Sequence, residues 1–437
     1  MTTSNLPMRS ANETAKSGPG LAVRRQASSG SGTPAHLVFM GAAAVLAAHI
    51  LTLTVIAPRA GTTAHDHILA TVVPLGLLVL GAWLFPRLGR AGQAAISLVL
   101  GVVTSVGGFV ALSGAAGAAS SWTGILLVPA GIALFGLGVW LLVKARRRGG
   151  HRLLRALLLA VAIILGAYII ALPISMAIIA TNRPVEPVPA AALADLGRPA
   201  HDVTVRTADG LTLHGWYVRS ENGAAVMTFP REWTSPQARM LVKHGYGVLL
   251  LDMRGYGDSE GDPNAYGWGY TADIKAGLAF LENQPDVRDG RIGGIGLSVG
   301  GEQLIETAAT DPRLKAVVSE GAGERSVRES LIRGVRGSAA LPSMAVQTAA
   351  LTVFSGHTPP PSLRDLVARI APRPVFLIYA ENGNGGEELT PQYYAAAGQP
   401  KQQWLVPGAG HTGGLATHPE EYEQRVIEFF DQGLLGR

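Results

Sequence analysis

The sequence predicts two architectures in one chain. An α-helical membrane bundle of five transmembrane helices comes first, followed by an α/β domain with a doubly wound, mostly parallel sheet. Three observations predict this. Five long apolar runs fill the first 180 residues. Beyond residue 200, short apolar strand-like runs alternate with helical ones. One strand-to-helix junction, Arg291 to Gly301, reads RIGGIGLSVGG and carries a serine between glycines.

Composition agrees. The 437 residues are 48% hydrophobic and only 15% charged, against about 25% charged in soluble domains. The net charge of +5 gathers in the N-terminal segment and in the loop 144–155, so a nucleic-acid surface is the poorer explanation. Cysteine is absent, which removes disulfides and thiolate chemistry.

Residues 1–35, rich in Ser, Gly, Thr and Ala, read as a disordered tail. No cleavable signal peptide is expected there, because the first apolar run starts late and a second follows it. The membrane domain spans 36–181. Its runs are His36–Ala57, Ile68–Phe85, Ala94–Ser113, Trp122–Val143 and Leu153–Ala180, each near or above the ~20 residues that cross a bilayer. Pro74, Pro129 and Pro173 are tolerable in such helices. Arg9, Lys16, Arg24 and Arg25 precede the first run. Arg87 and Arg90 follow the second, and Lys144, Arg146, Arg147, Arg148 and Arg152 follow the fourth. The loops 58–66 and 114–121 hold only Arg59. Basic loops stay cytoplasmic, so the N-terminus is expected inside and everything after Thr181 outside the cytoplasmic membrane. His49 is expected to face a neighbouring helix. Gly101, Gly108, Gly131 and Gly138 supply small residues for close helix packing.

Residues 182–200, with Pro184, Pro187, Pro189 and Pro199, read as a stiff linker. In the soluble half, 201–437, strands are expected at His201–Arg206, Leu211–Val218, Ala224–Phe229, Gly247–Leu251, Arg291–Leu297, Ala316–Ser319, Pro374–Ala380 and Gln403–Val406. Helices are expected at Gln237–His244, Tyr270–Glu282, Glu302–Ala309 and Glu420–Leu434. Ala208-Asp209-Gly210 is a hairpin signal. Apolar strands alternating with helices imply a parallel sheet covered on both faces. Residues 321–371 interrupt the alternation and read as a small cap, helical with Pro and Gly breaks.

Gly296-Leu297-Ser298-Val299-Gly300 is the G-x-S-x-G pattern that presents a nucleophile on a sharp strand-to-helix turn. An activated serine needs a base, and the base needs an orienting acid. His411 lies in the glycine-rich segment Pro407–Gly414 after the last strand and is the best-placed histidine. The acid is expected in the loop after Pro374–Ala380, which offers Glu381, Glu387 and Glu388. Glu387 is favoured, because its Glu-x-x-x-Pro spacing is similar to an Asp-x-x-x-Pro that often ends this loop.

On these motifs and the turn Asp252-Met253-Arg254-Gly255-Tyr256-Gly257-Asp258-Ser259, residues 201–437 resemble the α/β-hydrolase superfamily, in its dienelactone hydrolase-like and esterase group. The preceding five runs are no part of that family's core. One segment departs from it. Where the family usually has His-Gly, this chain reads Phe229-Pro230-Arg231-Glu232-Trp233, and Pro230 has no N–H to donate. The resemblance assigns oxyanion donors to the N–H groups of Val299 and of Arg231 or, failing that, Glu232. Arg231 is equally readable as an anion-binding or a solvated loop residue.

The expected function is a membrane-anchored serine hydrolase acting on an ester or thioester through Ser298, His411 and Glu387 and an acyl-enzyme. Its partners would be a small-molecule or lipid-like acyl substrate and the lipid bilayer, with no nucleic acid, metal or organic cofactor. Two alternatives stand beside it: acyl transfer to a cell-envelope acceptor, and a catalytically silent hydrolase fold used for binding.

Overall fold

The computed structural model describes residues 34–113, 121–145, 161–183, 196–229 and 234–437. The expected N-terminal tail lies outside them but for its last two residues, as do most of the linker and residues 230–233.

Five described helices are long and apolar enough to cross a membrane: Pro34–Ile56, Ile68–Arg87, Arg90–Leu112, Thr123–Lys144 and Val161–Thr181. The third and fourth touch backbone to backbone at glycines. A Cβ on Gly101 would lie 2.7 Å from the Phe135 nitrogen, and one on Gly131 only 2.3 Å from Ser105 Oγ, so only a residue without a side chain fits either place. His49 is buried and its Nδ1 lies 2.9 Å from Thr123 Oγ1, which ties the first helix to the fourth.

Eight strands follow: β1 Ala200–Arg206, β2 Thr212–Val218, β3 Ala225–Phe229, β4 Gly247–Leu251, β5 Ile292–Leu297, β6 Ala316–Glu320, β7 Val375–Asn382 and β8 Lys401–Gly410. They form one sheet in the order β1-β2-β4-β3-β5-β6-β7-β8. β2 runs antiparallel to β1 and β4, and every other pairing is parallel. β3 to β6 are buried along their whole length, as expected of strands covered on both faces. On one face, Ile274, Leu278, Leu304 and Ile305 of helices Thr271–Glu282 and Val299–Thr310 pack over Met227, Leu249 and Val317. On the other, Leu241, Val426 and Phe430 of Ser235–Lys243 and Pro419–Phe430 pack over Val226, Ile295 and Val318. The chain passes from β3 to β4 on one side and then to β5 on the other, so the carboxyl ends of β3 and β5 mark the switch point of the sheet.

Three elements differ from expectation. The helix after the serine starts at Val299 instead of Glu302. β8 runs through Pro407 to Gly410. Proline is tolerated there because β8 is an edge strand, where a missing N–H breaks no ladder. The cap is less broken than its prolines suggest. Beside Val327–Ile332 and Leu363–Val367, it holds one 21-residue helix, Val335–Ser355, with Pro342 inside. Pro342 lies on the exposed side of that helix.

The two halves meet at the loop after β4. Gly261 N–H donates to Ala60 O at 2.9 Å, and Ala265 N–H to Ala180 O at 3.0 Å. Asp262 faces Arg59 Nε at 3.9 Å and His67 Nε2 at 3.6 Å. Arg59, the one Arg or Lys of its loop, thus has a partner just over 200 positions away.

Candidate active site

Ser298 stands between β5 and its helix with φ 52° and ψ −122°, a backbone region that costs a non-glycine residue on the order of 1–3 kcal/mol. The neighbouring glycines hold it there. A Cβ on Gly296 would lie 2.3 Å from the Gly300 carbonyl carbon, so strand and helix could not close on each other with any larger residue. The strain is over-determined by packing and by the Ser298 N–H, which donates to Glu320 O at 2.7 Å.

His411 follows β8 directly. Its Nε2 lies 2.9 Å from Ser298 Oγ, and its Nδ1 contacts Glu387 Oε1. With a carboxylate as its neighbour, Nδ1 carries the proton, so Nε2 is free to accept the serine's. Strand pairing brings these parts together. β7 and β8 stay in register to Ala380, shift, and pair again at Asn382 and Gly410, which draws the loops after both strands to one place.

The three carboxylates of the loop after β7 part company here. Glu387 is buried, at 1% exposure. Its second oxygen accepts the Ala380 N–H at 2.9 Å, and its first also accepts the Asn384 N–H at 3.3 Å. Glu388 points outward to Arg333 Nη2 at 2.6 Å. Glu381 accepts the Gly408 N–H at 2.7 Å and braces β8. The Glu387 hydrogen bond raises the His411 pKa above its ordinary 6.5, with burial opposing and the charges of Glu387 and Glu320 adding to the rise.

Glu320, at the end of β6, was not singled out from the sequence. It is buried, its Oε1 accepts the Gly414 N–H at 2.8 Å and its Oε2 accepts the Tyr422 hydroxyl at 2.7 Å. Burial raises its pKa. It clamps the segment that carries His411. A strand-end glutamate has no sequence signature, so only the fold reveals it.

Val299 opens the helix Val299–Thr310, whose N-terminal N–H groups are directed at the serine. Arg231 and Glu232, the candidates for the second donor, lie outside the described residues, as does Pro230. The turn Asp252–Ser259 is a brace: Arg254 binds fully buried Asp273 at 2.6 Å and Asp209 at 2.8 Å, and Ser259 Oγ donates to Asp252 O at 2.8 Å. Among the described residues, no cluster of His, Asp and Glu could hold a metal ion.

Fold and sequence likeness define this half as a hydrolase of the α/β type. Residues 196–404 match the family described as X-Pro dipeptidyl-peptidase (S15 family). The chain is 31% identical over 239 residues to the Mycobacterium tuberculosis protein Rv2307c, covering 52% of this chain and 75% of that one. It belongs to the same family as that protein. It is also 33% identical over 131 residues to the thiohydrolase aneE of Aspergillus aculeatus, over 27% of this chain and 40% of that one. Among solved structures, the Pyrococcus furiosus esterase Pf2001 aligns with a TM-score of 0.46 at 24% identity, over 58% of this chain and 98% of that one.

Proposed function

We propose that the chain is a membrane-anchored serine hydrolase that cleaves an ester or thioester outside the cytoplasmic membrane. The observation that carries this is the hydrogen-bonded series Ser298, His411 and Glu387 on a strained turn at the switch point of the sheet. Ser298 Oγ attacks the acyl carbon while His411 Nε2 takes its proton. The carbonyl π electrons move to oxygen, and the Val299 N–H stabilises the oxyanion. Its collapse breaks the bond to the leaving group, which receives the proton from His411. Water, deprotonated by the same nitrogen, then attacks the acyl-serine and restores Ser298. Glu387 stays ionised, orients the imidazole and stabilises its cation. The likeness to a thiohydrolase supports acyl chemistry of this kind. The five apolar helices and the alternation of basic loops support the anchoring and the orientation.

The family description favours a second reading, cleavage of a peptide bond after Xaa-Pro. One experiment separates the readings. The full-length protein is labelled with a fluorophosphonate probe, then assayed on p-nitrophenyl esters, acyl thioesters and an Xaa-Pro anilide, with and without an alcohol acceptor. Labelling lost in Ser298→Ala, with turnover of the esters or thioesters, supports the proposal. Absent labelling points to a silent fold, anilide turnover alone to a peptidase, and acceptor acylation to a transferase. A reporter active only outside the cytoplasm, fused after Arg437, tests the orientation.

A further inference from the structure

The cap helix Val335–Ser355 does not have the surface of a helix that faces water. No Asp, Glu, Lys or Arg occurs from Gly337 to Leu363. Its exposed positions include Ser338, Ala339, Pro342, Ala345 and Ala349, a stripe without charge where a solvated helix carries its polar residues. Among the described residues, the large apolar side chains exposed outside the five apolar helices are Leu331, Val335 and Leu405. Val335, 87% exposed, opens this helix, and Leu331 lies in the short helix Val327–Ile332 just before it.

The helix packs against the second and fifth apolar helices. Ser343 Oγ donates to Tyr168 O at 3.1 Å, and Leu351 clusters with Ala177 and Ala180. Contact with the fifth helix therefore runs from Tyr168 to Ala180, about 18 Å of its axis at ~1.5 Å per residue. A helix lying along a membrane span for that distance shares the span's surroundings. The same face, four residues on at Gln347 and again at Leu351, also reaches the site. Leu351 packs on Trp268, and Gln347 Nε2 donates to the Tyr266 hydroxyl. Between those two aromatics is Gly267, where a Cβ would meet Val299 Cγ1 at 2.5 Å. One layer of side chains thus separates the charge-free stretch of the helix, from Gly337 on, from the residue that follows the nucleophile.

The geometry points to a lipid substrate: Val335–Ser355 lies in the outer leaflet beside the second and fifth helices, and the ester attacked by Ser298 carries an acyl chain that stays in the bilayer. This rests on the membrane-anchored hydrolase reading above and gives the cap a task, holding the active-site roof at the depth of the acyl-ester bond.

The chain has no cysteine, so each introduced one is a unique label. Full-length protein carrying Ala345→Cys or Ala349→Cys with an environment-sensitive fluorophore is placed in phosphatidylcholine nanodiscs containing acyl-brominated lipid. Val79→Cys, 70% exposed on the second helix, and Lys243→Cys, 67% exposed on the far face of the sheet, serve as controls. Quenching at 345, 349 and 79 but not at 243 is expected. Quenching at 79 alone overturns the proposal and leaves the membrane reading standing. No quenching at 79 overturns both, while fluorophosphonate labelling reports separately on the hydrolase. In parallel, Ala345→Asp places a charge in the leaflet, which membranes resist strongly. It is expected to reduce turnover of a long-chain fluorogenic ester held in phosphatidylcholine vesicles about tenfold or more, and hydrolysis of soluble p-nitrophenyl acetate less than about twofold. Equal effects on the two esters, or none on either, overturn the proposal.

Discussion

Replacing Glu387 by Gln changes one atom of the site and reverses its logic. The carboxylate accepts from three donors: His411 Nδ1–H, Ala380 N–H and Asn384 N–H. An amide cannot match that set. With its oxygen toward His411, its NH2 faces the Ala380 N–H at 2.9 Å, donor against donor in a buried place, which costs about 1–3 kcal/mol. Turned over, it donates to Nδ1 and moves the imidazole proton to Nε2, aimed at Ser298 Oγ. The histidine then cannot act as a base. Either way kcat is expected to fall about 10³- to 10⁴-fold, or about 4 to 5.5 kcal/mol of transition-state stabilisation, while Tm drops by only several degrees. Glu388→Gln is the control. Glu388 is 57% exposed and pairs with Arg333 at the surface, so its loss is worth under about 1 kcal/mol and activity stays within about twofold. The assay is kcat and KM on a p-nitrophenyl ester with full-length protein, with melting curves and fluorophosphonate labelling rates alongside. A loss under tenfold in Glu387→Gln, or a greater loss in Glu388→Gln, refutes the assignment of the acid.

Three further outcomes are expected. If His411 is the base proposed above, its neutral imidazole is the active form, and since the Glu387 bond holds its pKa above 6.5, kcat/KM should rise with pH through a midpoint above 6.5. Residual activity in Glu387→Gln should rise at lower pH, and an unmoved limb would assign it to another group. Ser298→Ala and His411→Ala should each lose about 10³-fold or more, and the double variant scarcely more than either; losses that multiply would mean independent roles. Glu320→Ala strands the Gly414 N–H and the Tyr422 hydroxyl. It should lower Tm by several degrees and kcat about tenfold with KM unchanged, and unchanged kcat would show that His411 needs no clamp.

The sequence made some of this site legible and hid the rest, for physical reasons. Ser298 is marked because its turn tolerates only glycine at fixed offsets, and the structure shows the 2.3 Å clash that enforces this at Gly296. His411 is marked by its place after the last strand. Glu387, Glu388 and Glu381 share one loop, and only the fold separates the buried acid from the two that pair elsewhere. Glu320 was invisible, since a carboxylate at a strand end means nothing until Gly414 and Tyr422 are seen to converge on it. The cap misled through Pro342. A proline inside a helix removes one donor and crowds the carbonyl four residues back, yet Ser338 and Pro342 are both exposed, so neither cost falls on a packed face.

The contacts of Gly261 with Ala60 and of Ala265 with Ala180 also bear on how the chain is expected to fold. Sheet strands such as β3, β4 and β5 can pair once the second half of the chain is made. The segment between Gly261 and Tyr270, which meets Val299 at Gly267, takes part of its backbone hydrogen bonding from the first half, and the pairing of 60 with 261 closes a very long loop. Long-range closures are slow, and chains of this size assemble part by part. The loop over Ser298 is therefore expected to be completed only when the apolar helices are in place, so the contacts that join the two halves would also tie completion of the candidate site to assembly of the whole chain.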